Sequence, residues 1–504
     1  MWALEDRNAR DIAVIDVGSN SVRLVLYRIE GRAIWTVFNE KVLAGLGRKL
    51  GETGKLSPDG VKTALAALRR FQAVLDGAKP AEVFTAATAA VREAADGPAF
   101  ISRVRAETGL KIRVMSGADE ARFSAIGVIA GQPDAGGVVG DLGGSSLELT
   151  RVAGGLPGEG VTLPLGPFAL GAPGEIDVAK VRAQIAQRLA TIAPKFRSDC
   201  FYAVGGAWRN IALIHMDMVG YPLRIVHQYE MTAAQALDAA RFVAQQSRAS
   251  LEQIPGVSKK RAETLPYSAL VLEGLIEQLG LERICMSAYG LREGLILEAM
   301  PKALRRLDPL IEGCAALGAR QGVAERLGPA LEDWLKPLWT ALPPLFGAGE
   351  PNRTRDAVML AASCRLADLG ARLHPDHRGS LAFDQVLRAP VPGQTHAERA
   401  FLAVAVLARH TSQMPSRENA HVDRVLSPER MKRARALGAA MRLACDLSGR
   451  TPALLAGCTL ALDKGVVVLT VKRAAADLVL GEQTRKRLQS LANALELECK
   501  IKTA

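Results

Sequence analysis

The chain has 504 residues, of which 49% are hydrophobic and 23% charged, and its formal net charge is +12. That length exceeds what a single hydrophobic core supports, so three or four domains of a soluble globular protein are expected. No run approaches the ~18 apolar residues of a membrane span, the charged start MWALEDRNARD lacks the apolar centre of a signal peptide, and the seven scattered cysteines include no CxxC pair. A cytoplasmic protein with reduced thiols is therefore expected, without a membrane partner, a zinc site or a redox motif. The positive excess favours polyanionic partners, although an even spread of charge for solubility would give the same sum.

In chain order, residues 1–130 alternate strand and helix patterns: a hairpin over 12–28, a helix around 59–76 after SPDG, and short strands at 82–86 and 111–115. Residues 131–304 repeat the theme with a hairpin at 137–153 and helices such as 177–192 and 232–248. Two alternating stretches that both open on a hairpin imply two α/β lobes around a cleft. From PKALRRLD at 301–308 the pattern becomes amphipathic helix through about 425, broken by PPLFGAGEPN at 343–352. The remainder opens on a basic helix, PERMKRARALGAAMRLA. LLAGCTLALD and GVVVLTVK then form a hairpin turning at Asp463, Lys464 and Gly465, followed by a helix over 481–494 and a last strand. The expected domains are 1–130, 131–304, 305–425 and 426–504.

Residues 12–26, IAVIDVGSNSVRLVL, and 137–150, GVVGDLGGSSLELT, are copies of one pattern. At an offset of 125 residues Asp16 falls on Asp141, Gly18 on Gly143, Ser21 on Ser146 and Leu24 on Leu149. Each copy reads as a buried strand ending in an aspartate, a tight turn of small residues, and a second strand. Gly18, Gly143 and Gly144 permit positive φ and close approach to a ligand, and successive turn N–H groups can form a nest for a phosphate. A carboxylate at the end of the first strand then lies beside that phosphate, where it can hold Mg2+ or a water. One such turn near an aspartate is commonplace. Two facing each other across a cleft grip phosphates from both sides and supply two carboxylates.

These segments resemble the exopolyphosphatase/guanosine pentaphosphate phosphohydrolase (Ppx/GppA) family, within the superfamily of actin, hexokinase and the heat-shock chaperones. IDVGSNSVRL (15–24) and DLGGSSLEL (141–149) look like its two phosphate loops. TAATAAVREA (85–94) looks like its arginine-bearing segment and SGADEARF (116–123) like its acidic segment. AVGGAWRNIA (203–212) is similar to its later glycine loop and YGLREGLI (289–296) to its closing segment, all six in the family's order. The resemblance implies two actin-like, ribonuclease H-like α/β lobes around a cleft, then a degenerate helical HD-like domain and a small α+β C-terminal domain. It implies a Mg2+-dependent exopolyphosphatase acting on inorganic polyphosphate, homodimeric and without a nucleic acid partner.

Carried onto this chain, the resemblance makes Glu120 the residue that orients or deprotonates the attacking water, although a first-turn glutamate is also favoured by the helix dipole. Asp141 is expected to bind Mg2+, with Glu148 and Asp16 as further carboxylates on the metal side, and Arg92 to grip the terminal phosphate bidentately. Asn20, Ser21, Gly143, Gly144, Ser145 and Ser146 are the expected phosphate-binding loop residues, and Gly205 and Gly206 let the rest of the chain or a nucleotide come close. Arg23, Arg122, Arg209 and Arg292 are phosphate contacts or plain ion-pair partners. Ser145 stands where the family has a third glycine and Leu147 where threonine is common. GGAWR at 205–209 lacks the serine or threonine that often follows the glycines.

His374, Asp376, His377, His396 and His410 lack the spacing of an intact HD metal set and read as solvated or core side chains. Arg430, Lys432, Arg433 and Arg435 fall within six residues, either as a track for a polyphosphate chain or as a solvated face. Two other functions share these residues: hydrolysis of the 5′-γ-phosphate of guanosine pentaphosphate, and non-catalytic sensing of guanosine tetra- or pentaphosphate. Glu120, Asp141 and Arg92 together argue against a dead enzyme, and a kinase or chaperone of the superfamily has no use for the Glu120 segment.

Overall fold

The computed structural model describes residues 9–172, 176–255, 257, 259–319, 326–346 and 350–504. They fall into two compact units, Met1–Arg306 and Leu307–Ala504.

The first unit contains two mixed sheets. In the first, β1 (Arg10–Val17), β2 (Val22–Glu30), β3 (Ala33–Val42), β4 (Glu82–Ala87) and β5 (Arg113–Val114) lie in the order β3-β2-β1-β4-β5. In the second, β6 (Gly137–Leu142), β7 (Leu147–Ala153), β8 (Leu156–Leu163), β9 (Cys200–Val204), β10 (Glu230–Thr232) and β11 (Arg283–Ser287) lie in the order β10-β11-β9-β6-β7-β8. Apart from the edge strand β10, the two orders are the same. Three antiparallel strands lead, and parallel strands then join the far side of the first strand.

The sequence repeat is a structural duplication down to its hydrogen bonds. Asp16 pairs with Arg23 and Val17 with Val22, while Asp141 pairs with Glu148 and Leu142 with Leu147. Gly18 N–H donates to Ser21 O at 2.9 Å, and Gly143 N–H to Ser146 O at 2.9 Å. The duplication continues where the sequences no longer match. Gly45 and Gly47 donate to Asn20 O and Ser19 O at 3.0 and 2.8 Å, as Gly166 and Phe168 donate to Ser145 O and Gly144 O at 3.1 and 2.9 Å. In both lobes the segment after the third strand therefore folds back over the turn. Gly18, Gly143 and Gly144 are not among the positive-φ residues, which corrects the expected reason for glycine there. Gly144 instead supplies room, since a Cβ on it would lie 3.0 Å from Ser19 Cβ.

Local sequence accounts for the helices that frame these sheets. Ser57 caps the helix Pro58–Ala78, whose Leu65, Leu68, Phe71 and Leu75 recur at helical spacing and are buried. Thr232 and Gln235 form a capping box on Ala233–Gln245. Two central helices, Gly117–Gly131 and Leu291–Ala299, cross at glycines: a Cβ on Gly127 would lie 2.0 Å from Gly290 O, and one on Gly294 1.9 Å from Phe123 O.

The second unit is helical through Pro428–Ser448 and closes on a three-stranded sheet, β12 (Cys458–Asp463), β13 (Val466–Val471) and β14 (Glu498–Thr503). The expected hairpin turn is there, with Lys464 and Gly465 at φ 49° and 81°, the paired positive values of a two-residue type I′ turn. The histidines behave as side chains of a fold: His374 and Asp376 are exposed and 3.8 Å apart, and half-buried His410 uses Nε2 on Leu369 O at 2.9 Å. The basic stretch is largely engaged within the unit. Arg430 lies 4.8 Å over Phe346, Arg433 5.5 Å over Trp339, Arg435 donates to Ser412 O, and Lys432 pairs with Glu496.

The glycine crossing gives a test of sign. Alanine in a helix is ordinarily worth about 1 kcal/mol over glycine, yet Gly294→Ala should lower stability by about 1–3 kcal/mol through overpacking. Gly77→Ala, where a Cβ meets nothing within 4 Å, should raise it by about 0.5–1 kcal/mol. Chemical denaturation of both variants measures the contrast.

Candidate active site

The two hairpin turns meet. A Cβ on Gly144 would touch Ser19 Cβ at 3.0 Å and Asn20 N at 3.3 Å, and one on Gly47 would touch Ser19 Cβ at 3.0 Å and Ser145 Oγ at 3.1 Å. Beside the meeting point opens a cavity of about 680 Å³. Of the residues singled out in the sequence, Asp16, Asn20, Ser21, Glu120, Asp141, Gly143, Gly144, Ser146, Gly205 and Gly206 line it. Arg92, Ser145 and Glu148 are not in its wall. Among the described residues, the N–H groups of 19–21 and 144–146 donate to no backbone carbonyl outside regular helices and strands, which leaves them available to an anion.

Glu120 comes from the head of the central helix Gly117–Gly131, whose first turn Ser116 caps by accepting from Asp119 N. Arg92 does not stand free as a phosphate clamp: its Nη1 donates to Glu120 Oε2 at 3.0 Å and to Met115 O at 3.1 Å. One helical turn beyond Glu120, Ser124 Oγ donates to Asp141 Oδ2 at 2.5 Å. A single helix face thus addresses both carboxylates.

Burial dominates the protonation of this group. It pushes Glu120 up to about 7 against the opposing hydrogen bond from Arg92, with Asp141 and Asp16 adding repulsion. Burial likewise raises Asp141 to about 6, opposed by Ser124 and reinforced by Asp16. Glu148, buried and facing Asp141 across the β6–β7 register, is held well above its ordinary value by burial and by the charges of Glu120 and Asp141. Its Oε1 has no hydrogen-bond partner.

These carboxylates suit a hard divalent cation in kind: buried oxygens raise one another's proton affinity, and one lacks a partner. They do not form a ready-made cage, because among the described residues no group of three His, Cys, Asp or Glu side chains could hold a metal ion. Of the expected trio Asp16, Asp141 and Glu148, the first two line the cavity. Asp16 is tied to Arg292 Nη1 at 3.1 Å, and Glu148 lies outside the cavity wall. The Ser145 hydroxyl is buried without a partner, while its N–H is among those left available at the turn.

The rest of the wall is cationic. Arg23, Arg209 and Arg292 line it, joined by Lys41 and Arg261, which the sequence reading did not single out. Lys41 is legible in retrospect: it pairs with Arg23 across β2 and β3, and strand alternation puts it on the face of Asn39, which also lines the cavity. Arg261 carries no such signal. Arg122 resolves as an ion-pair partner of Glu298 at 2.5 Å. Gly205 has φ 125°, and a Cβ on it would lie 2.7 Å from Leu142 O, so it admits the β6 backbone.

A raised pKa in the folded state means that this state holds the proton more tightly than the unfolded chain does. The ionised carboxyl then costs stability at neutral pH, and stability grows as pH falls from about 7 toward Glu120's ordinary value. Glu120→Gln should therefore melt higher than wild type at pH 7.5, with the margin closing near pH 5. Thermal melts at the two pH values, without metal, check this.

Comparison with known proteins agrees with this architecture. The model of the Ppx/GppA phosphatase family matches residues 25–303, and that of the exopolyphosphatase C-terminal region matches 342–500. "Exopolyphosphatase 1" of Mycobacterium tuberculosis is 28% identical over 323 residues, covering 61% of this chain and 91% of that protein. "Retrograde regulation protein 2" of Saccharomyces cerevisiae is 24% identical over 446 residues, 80% of this chain and 73% of that one. Among solved structures, the Aquifex aeolicus PPX-GPPA enzyme is 25% identical with a TM-score of 0.50, covering 57% of this chain and 99% of that one. A Cytophaga hutchinsonii exopolyphosphatase, 21% identical with a TM-score of 0.54 over 58% and 98% of the two chains, shares the fold. With its duplicated turns and its family match over 25–303, this chain belongs to the Ppx/GppA phosphatase family.

Proposed function

We propose that the protein is an exopolyphosphatase that releases terminal orthophosphate from inorganic polyphosphate by hydrolysis. The observation that carries this reading is the polarity of one cavity, with Glu120 and Asp141 beside the paired turns and five cations lining the same space. The Mycobacterium tuberculosis relative bears the exopolyphosphatase name, which supports the substrate.

In this reading the terminal phosphoryl group sits against the free turn N–H groups. Glu120 accepts a proton from the attacking water, and a base titrating near 7 is matched to that task at neutral pH. Arg92 keeps Glu120 oriented through Nη1, while its Nη2 donates to Glu93. Asp141, steadied by Ser124, would hold Mg2+ together with phosphate oxygens and water, with Asp16 reaching it through a water. The bound ion would neutralise charge on the attacked phosphoryl group. Glu148 serves as a buried structural carboxyl beneath them. Guanosine pentaphosphate is the competing substrate, and it belongs in the same assay.

Purified protein should release orthophosphate from polyphosphate when Mg2+ is present, faster than from guanosine pentaphosphate. Failure on polyphosphate would sink the reading. Glu120→Gln should lower turnover by roughly 10²–10⁴-fold with affinity retained, and near-normal turnover would move the base to Asp141. In wild type the rate should fall as pH drops below about 7, as Glu120 takes up its proton. Asp141→Asn should raise the Mg2+ concentration for half-maximal rate. A uniform loss at every Mg2+ level would assign Asp141 to proton transfer instead.

A further inference from the structure

Two buried titratable side chains beside the cavity have no part in the hydrolysis. Tyr27 lies on β2 and Glu293 in the first turn of Leu291–Ala299, and both are buried. Tyr27 Oη donates to Glu293 Oε1 at 2.6 Å, and Gly290 N–H donates to Glu293 Oε2 at 2.9 Å. The second bond is ordinary, since a glutamate three residues into a helix reaches back to the N–H of the capping residue. The first goes beyond capping. It matters because a buried carboxylate is costly unless its oxygens are matched.

This turn of helix stands between the two aspartates of the rim. Gly290 lies beside one of them: a Cβ on it would be 3.7 Å from Asp141 Oδ2. Arg292 reaches the other, with Nη1 on Asp16 Oδ2 at 3.1 Å, and its Nε is buried without a partner. Burial opposes the Arg292 charge, and Glu293, ahead of Tyr27 and Asp16, sustains it. Two carboxylates therefore compete for one guanidinium. Burial and the Glu293 charge hold the Tyr27 phenol well above its ordinary value, so it stays the donor that occupies Glu293 Oε1. With that oxygen taken by a neutral partner, Arg292 is left to Asp16.

We propose that Tyr27 and Glu293 are positioning residues: the Tyr27 hydroxyl keeps Glu293 from drawing Arg292 away and so holds Arg292 on Asp16. Its effect on rate rests on the exopolyphosphatase reading; the pairing itself rests on the geometry. Without the hydroxyl, Arg292 turns to Glu293, and Asp16 faces Asp141 and the incoming phosphoryl group as an unpaired negative charge.

Tyr27→Phe, alone and combined with Glu293→Gln or Asp16→Asn, tests this in the full chain. Tyr27→Phe should lower kcat on polyphosphate about tenfold or more, the worth of one charge-assisted contact, with a smaller change in KM. Adding Glu293→Gln removes the competing charge and should recover most of kcat, whereas two merely structural losses would add. Adding Tyr27→Phe to Asp16→Asn should cost no further rate. A metal-free arm reads the pairing without turnover. Asp16→Asn should lower the melting temperature of wild type more than that of Tyr27→Phe, because only in wild type does it strip a buried guanidinium of its carboxylate. Glu293→Asp, which keeps the charge and cannot span both donors, gives the same non-additivity with Asp16→Asn should Tyr27→Phe fail to fold. The proposal is overturned if Glu293→Gln deepens the loss in kcat, or if Asp16→Asn lowers both melting temperatures equally. A wild type that releases nothing from polyphosphate would instead overturn the function reading, and the metal-free melts would still decide the pairing.

Discussion

The first unit is organised around a contact that has almost no side chain in it. The turn of β6–β7 meets the turn of β1–β2 at Gly144, with room for little more than a hydrogen between its backbone and Ser19. Everything chemical follows from that closeness. The two turns leave their central N–H groups unspent on backbone carbonyls outside regular helices and strands, so the contact concentrates donors at one point. Asp16 and Asp141, one residue before the last of their strands, are delivered to the same rim. A side chain at Gly144 would push the turns apart and separate the donors from the carboxylates.

The helix Gly117–Gly131 completes the arrangement from beneath. Its crossing with Leu291–Ala299 at Gly127 and Gly294 allows near-backbone contact. That depth places Glu120 and Ser124, four residues apart, against Arg92 and Asp141. The cost appears as carboxyl groups shifted toward protonation by burial. A carboxylate kept dry and near other carboxylates is a stronger base than one in water. The same interactions that weaken the fold at neutral pH therefore equip Glu120 to take a proton.

How much of this was legible in the sequence varied with the physics behind each feature. The hairpins and the turn at Lys464 and Gly465 were readable because alternation and small-residue turns are local signals. The third strands and their returning segments escaped the repeat because their equivalence lies in backbone hydrogen bonds that any residue can make, as Phe168 does opposite Gly47. Glu120 and Asp141 were found through their motifs, yet their partners were not. Ser124 is an ordinary helix serine until the fold brings Asp141 to it. For Glu148 the register opposite Asp141 was readable, but its position outside the cavity wall was not. Arg92 was expected to grip a phosphate, while its hold on Glu120 depends on a helix that begins over twenty residues later.

The duplication is symmetric in backbone and opposite in charge, and that difference explains the cavity's polarity. At equivalent positions one hairpin pairs Asp16 with Arg23 and the other pairs Asp141 with Glu148. Arg23 extends a cationic wall through its neighbour Lys41 on β3. Glu148 adds a buried carboxyl opposite Asp141, and burial together with the charges of Glu120 and Asp141 raises its own proton affinity. Had both hairpins carried arginine, a cation beside Asp141 would oppose the burial that raises its proton affinity. Had both carried glutamate, the rim would repel any phosphate chain. One substitution between two copies of the same turn thus separates the end that activates water from the end that holds an anion.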